Sequence, residues 1–155
     1  MSPIKTKHRV IGWVLFLIYL CFLSYFLFFA EALGRNGNQE EQCRYNLVLF
    51  REICRFYRYR HVVGMRAFFL NTFGNVLAFI PFGFFVPIIE KRKHSFFRIL
   101  FSGMIFSTLI EVTQFYTGAG SFDVDDIFLN TCGSLLGYLI FVVLLHMKRK
   151  KSEQT

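Results

Sequence analysis

Val10 to Ala30 reads VIGWVLFLIYLCFLSYFLFFA, a run without a single Asp, Glu, Lys or Arg. Wound as an α-helix it is about 30 Å long, the thickness of the hydrocarbon core of a bilayer. The rest of the chain is of the same character: 54% of the residues are hydrophobic and 22 of the 155 are Phe, more apolar surface than one soluble domain of this length buries. Three further stretches are long enough to span, at about 67–89, 95–116 and 126–146. The second contains Pro81, Pro87 and Gly83, so it spans with a kink. The expected fold is therefore an all-α integral membrane protein of four transmembrane helices, with an interfacial segment between the first and second. The four-helix domain covers residues 10–146, between an amino-terminal tail, 1–9, and a basic carboxy-terminal tail, 147–155. A cleaved signal peptide competes for the first span, because Lys5, Lys7 and Arg9 precede it and Ala30-Glu31-Ala32 has the form of a cleavage site, but the apolar run is long for a signal.

Lys and Arg orient the bundle. Lys5, Lys7 and Arg9, then Lys91, Arg92, Lys93 and Arg98, then Lys148, Arg149, Lys150 and Lys151 fall on one side of a four-span topology. The positive-inside rule makes that side cytoplasmic and both termini with it. Thr117 to Asp125 has no Lys or Arg and faces outside. The long connection from Glu31 to Arg66 also faces outside although it carries seven Arg, against 11 Lys and Arg on the cytoplasmic side. Its Tyr45–Tyr59 stretch alternates Leu47, Leu49, Phe50, Ile53 and Phe56 with Arg51, Glu52, Arg55 and Arg58. That is a helical amphipathic pattern suited to the membrane interface, where Arg also meets lipid phosphates or another anionic envelope component. The net charge of +8 is accounted for by orientation and headgroup attraction and points to no nucleic acid. Cys43 and Cys54 either pair or lie on one helix, where about 16 Å would separate them. Motifs for a metal or a cofactor are lacking, and none is expected.

The informative residues are polar ones inside the apolar helices. Ser107, Glu111 and Gln114 are spaced i, i+4, i+7 on one face, and an ionisable group at such a place is expensive enough to suggest function. Asp126, Asn130, Gly133 or Ser134, and Gly137 form a similar stripe, and Gly133-x-x-x-Gly137 lets helix backbones approach closely. From the expected topology, Asn75 lies about 12 Å, Glu111 about 9 Å and Asn130 about 6 Å below the outer surface. Polar groups from three helices thus converge in the outer half, either as a hydrogen-bond network holding the bundle or as the lining of a cavity open to the outer leaflet. Asp123, Asp125 and Asp126 invite two readings as well: Asp125 or Asp126 caps the last helix, or the cluster binds or reacts.

These residues resemble the VanZ family of small membrane proteins. Asn75-Val-Leu-Ala-Phe79-Ile-Pro81-Phe-Gly83, then Ser107 to Glu111 to Gln114, then Phe122-Asp123-Val124-Asp125-Asp126-Ile127 leading to Asn130-Thr131-Cys-Gly133 and Gly137-Tyr138, match its order and spacing. Asn46-Leu47 with Phe50-Arg51 resembles the start of the same pattern. Many members carry a basic residue just before the Phe-Asp-x-Asp-Asp segment, where Gly118 to Ser121 here has none. The resemblance implies a bacterial inner-membrane protein related to one that confers tolerance to teicoplanin, a lipoglycopeptide that binds cell-wall precursors. Three functions follow as alternatives. The first is a module binding a lipid-linked cell-wall precursor or lipoglycopeptide through Asn75, Ser107, Glu111, Gln114, Asp123, Asp125, Asp126 and Asn130, with membrane lipids as the standing partners. The second is an enzyme acting on a lipid phosphate, for which a nucleophile–base pair is lacking. The third is a structural partner in an envelope complex, its polar stripes and Pro81, Gly83, Gly133 and Gly137 serving helix packing.

Overall fold

A computed structural model describes residues 6–26, 45–59, 61, 65–90 and 95–153. Residues 27–30 of the first expected span, Cys43 and the basic turn at 91–93 lie outside these. The described chain is almost all helix: α1 (Thr6–Tyr25), α2 (Arg51–Arg58), α3 (Met65–Ile89), α4 (Phe96–Thr117) and α5 (Val124–Glu153), with two short strands, β1 (Tyr45–Asn46) and β2 (Phe122–Asp123). By length and composition three helices among the described residues suffice to cross a membrane, over Thr72–Ile89, Phe96–Thr117 and Val124–Ser152, while the described part of α1 gives a shorter apolar helix. The last helix exceeds its expected end at 146 and runs on through Lys148–Lys151. Lysine is a good helix former, and its charge complements the negative end of the helix dipole.

Helices α3 and α5 run side by side at backbone contact. A Cβ built on Gly133 would fall on the carbonyl of Val76, one on Gly137 on that of Ile80, and one on Gly83 on that of Ser134. Only hydrogen fits at these three places, so small residues are what allow the two helices to meet. Helix α4 closes on the same pair, with Gly103 beneath the Ser134 hydroxyl. The apolar core is aromatic: Phe79 and Phe82 are buried with Leu23, and Phe106 stacks on Phe82 with centroids 4.8 Å apart.

Helix α1 is antiparallel to α3 and attaches to it at two backbone carbonyls. The Tyr19 hydroxyl donates to the carbonyl of Ala78 at 2.9 Å. At the carboxy-terminal end of α3 the Arg9 guanidinium donates through Nη2 to the Ile89 carbonyl at 3.0 Å, a cation on the negative end of a helix. Arg98, at the start of α4, lies 3.6 Å from Glu90. With α5 parallel to α3, Lys148–Lys151 fall at this same end of the bundle. The acidic residues of the β2–α5 junction fall at the other.

The connection before α3 departs from the expected single amphipathic helix over 45–59. Only Arg51–Arg58 is helical. Tyr45 and Asn46 instead pair in parallel with Phe122 and Asp123, and the polypeptide turns through Phe50, whose φ of 65° is left-handed.

Candidate functional site: a carboxylate cluster at one end of the bundle

The cluster is built on the junction of β2 and α5. Asp123 precedes the first helical residue, and its Oδ1 accepts the Asp125 N–H at 2.8 Å, the i to i+2 bond of an N-cap. The cap of α5 is thus Asp123, one element earlier than the expected Asp125 or Asp126. The same Oδ1 accepts Asn46 Nδ2 at 2.9 Å, and the Asp123 N–H donates to Glu111 Oε2 at 3.0 Å. Glu111 on α4, Asp123 on β2 and Asn46 on β1 are all buried. Asn46 Oδ1 also accepts the Val48 N–H at 3.1 Å, an Asx turn that bends the chain out of β1.

Asp125 is spent on a different helix. It is 1% exposed, and its carboxylate accepts the N–H of Phe50 through Oδ1 and those of Glu52 and Ile53 through Oδ2, at 2.8 and 3.3 Å. These are the free donors at the amino-terminal end of α2, whose cap position is held by Phe50, a residue with no acceptor of its own. An acid from α5 therefore caps α2 across about 70 residues of sequence. Holding Phe50 left-handed costs about 1–2 kcal/mol, offset by the bonds that this conformation aims at Asp125. The Phe50 ring meets Phe128, one turn further along α5, edge to face at 5.3 Å.

Asn75 on α3 reaches the last acid of the group, donating through Nδ2 to Asp126 Oδ1. Deeper in the bundle Asn130 Nδ2 donates to Ser107 Oγ at 2.9 Å, and Ser134 Oγ donates to the Asn130 carbonyl at 3.1 Å. Asn75, Glu111 and Asn130 are thus engaged with Asp126, the Asp123 N–H and Ser107 respectively. Asn130 Oδ1 is buried without a hydrogen-bond partner. Gln114 is buried on the face it shares with Ser107 and Glu111. Its carbonyl accepts the Gly120 N–H at 3.2 Å, closing α4 at Gly118, whose φ is 71°.

Burial raises the Asp123 pKa from its ordinary value, against the opposing bonds from Asp125 N–H and Asn46. Glu52 on α2 is likewise raised by burial, against the opposing charge of Arg55, which it meets at 2.6 Å. Among the described residues no group of three or more His, Cys, Asp or Glu side chains is arranged to hold a metal ion. Chemically the cluster is a set of carboxyl groups that accept bonds from backbone N–H groups and from the Asn46 and Asn75 amides. It ties α3, α4 and α5 to the segment 45–53. The sequence reading did not place Asn46 among the binding residues, although Asn46-Leu47 with Phe50-Arg51 stands in the family pattern, and it missed the backbone of Phe50, Glu52 and Ile53 altogether.

The VanZ/LLP1 family description matches residues 16–145 of the chain. Protein VanZ of Enterococcus faecium is 30% identical over 87 residues, which cover 56% of this chain and 53% of that protein. The matched part thus spans about half the length of that relative. No solved structure matches.

Proposed function

We propose a function from the premise that the chain belongs to the VanZ/LLP1 family. The protein is a four-span, multi-pass component of the bacterial cytoplasmic membrane, with both termini in the cytoplasm and the carboxylate cluster at the outer surface. It binds there, from the outer leaflet, the head of a lipid-linked cell-wall precursor. A lipoglycopeptide of the teicoplanin type is the competing ligand for the same surface. Arg9, Arg98 and Lys148–Lys151 at one end of the bundle support the orientation, since positive charge is retained inside.

The observation that carries the reading is Asp125 accepting three backbone N–H groups at the start of α2. Together with Glu111 on the Asp123 N–H, it makes the buried carboxylates anchors that hold a polar platform at the membrane surface. Groups so engaged suit positioning a ligand-binding segment better than proton transfer, which needs an oxygen presented to the substrate. The test is lipid mass spectrometry on the full chain purified in mild detergent. Native protein should carry polyprenyl-linked precursor above its share of the membrane lipid, and Asp125→Ala, which frees the platform, should lose that enrichment. Native protein with only bulk phospholipid would refute the reading.

A further inference from the structure

We infer that α2 and the turn before it form a binding face for the phosphate of an anionic lipid at the membrane surface. The inference deepens the function proposed above and rests on its placement of this end at the outer face of the membrane. Arg51, Arg55 and Arg58 stand at i, i+4 and i+7, hence on one side of the helix, and all three are exposed. Against Glu52 alone they leave α2 with three positive charges and one negative, a net +2. Leu47, Val48, Leu49 and Phe50, immediately before the helix, are 65, 58, 47 and 45% exposed. Four consecutive apolar side chains facing outward are unfavourable in water, and they are accommodated by acyl chains beside them. Tyr57 and Tyr59, also exposed, are the amphipathic aromatics found at headgroup level.

Position and charge agree. Asp125 lies in the first turn of α5, a helix long enough to span, and it holds the first turn of α2 directly. The short helix therefore sits level with the end of the membrane-crossing bundle, in reach of headgroups. Because docking uses the backbone N–H groups of α2, it leaves the guanidinium groups of Arg51 and Arg58 for phosphate, whose oxygens they meet two at a time, while Arg55 is shared with Glu52 at 2.6 Å. Phosphate is the shared chemistry of a phosphatidylglycerol head and of a polyprenyl diphosphate, and these are the two sources to distinguish.

The experiment places the full chain in nanodiscs of phosphatidylcholine, of phosphatidylcholine with phosphatidylglycerol, and of phosphatidylcholine with polyprenyl diphosphate. Lipids retained on the protein are counted by mass spectrometry, for the native chain and for the triple variant Arg51→Gln, Arg55→Gln, Arg58→Gln. Each arginine near an anionic surface contributes about five-fold, so the triple variant should retain anionic lipid about a hundred-fold less. An unchanged melting midpoint shows that the variant is folded. Equal loss for both lipids assigns the face to headgroup phosphate in general, and loss for the polyprenyl diphosphate alone assigns it to the precursor. A folded variant that retains anionic lipid as the native chain does would overturn the inference while leaving the proposed precursor binding standing. Native protein that prefers polyprenyl diphosphate no more than phosphatidylcholine would sink that function; preference for phosphatidylglycerol, lost in the variant, would still support the face.

Discussion

Replacing Asp125 by Ala should release α2 and leave the bundle intact. The carboxylate accepts the N–H groups of Phe50, Glu52 and Ile53. Loss of an N-cap costs about 0.5–2 kcal/mol, and a bond to a charged group contributes about 1.5–3 kcal/mol. The three bonds share one anion and are not additive, so about 3 kcal/mol is a fair total for opening the segment. At about 1.4 kcal/mol per factor of ten this is an opening equilibrium raised about a hundred-fold. The left-handed Phe50 adds to the effect, since nothing then rewards that conformation. Amide hydrogen exchange read by mass spectrometry on the full chain in detergent reports it directly: residues 50–58 should exchange about a hundred-fold faster, with α4 and the distal half of α5 unchanged. Asp125→Asn keeps one acceptor oxygen and should give about a ten-fold effect. Unaltered exchange at 50–53 in Asp125→Ala, or an equal acceleration everywhere, would refute the idea that this carboxylate specifically caps α2.

Three other expectations address packing, protonation and topology. Gly137→Ala drives a methyl group into the Ile80 carbonyl and should destabilise the bundle by about 1–3 kcal/mol in denaturant titration, whereas Gly74→Ala, with nothing within 4 Å, should leave the midpoint in place or raise it. The raised pKa of Asp123 means that the folded state binds more protons than the unfolded state above the ordinary 3.8. Stability should then fall as pH rises from that value through the raised one and level off beyond it; Asp123→Asn, which retains an acceptor for Asn46, should flatten the fall, and an identical pH profile in the variant would assign it to another group. In a cysteine-free background, an impermeant thiol reagent on intact cells should modify a Cys placed at Ser121 and spare one at Ser152; the reverse pattern would invert the topology.

Periodicity and length made the long helices legible. Apolar runs near 67–89, 95–116 and 126–146 correspond to α3, α4 and α5, because a segment in hydrocarbon must satisfy its backbone within itself and so has little choice but a helix. The region before α3 was not legible in this way. A period of 3.6 over 45–59 suggested one helix, yet the Asx turn at Asn46 and the pairing of Tyr45 with Phe122 take its first part into a strand. Nothing local announces that pairing, which depends on residues 77 positions away. Phe50 was equally silent, since a left-handed residue is normally flagged by Gly or Asn. For the site, side-chain stripes indicated which residues turn inward, and not what they meet. Asp125 meets backbone N–H groups, which every residue but Pro carries and which no pattern of side chains reveals.

The arrangement also explains how so many acids are tolerated at one end of a membrane bundle. Two helix amino termini converge there, each equivalent to about half a positive charge, and each is served by its own carboxylate: Asp123 at α5 and Asp125 at α2. Glu111 adds the backbone N–H of β2, and the charge of Arg55 acts on Asp123 from α2. Dipoles and N–H groups fixed by the fold need no reorganisation and offset part of the cost of burying these acids, while burial still raises the Asp123 pKa. An amide at position 125 would supply acceptors without supplying charge, and would hold the positive end of α2 less firmly. The carboxylate docks α2 by its end, leaving Arg51 and Arg58 exposed on its side, with Arg55 paired to Glu52. A salt bridge from Asp125 to Arg51 or Arg58 would have docked the same helix while consuming the groups that an anionic ligand requires.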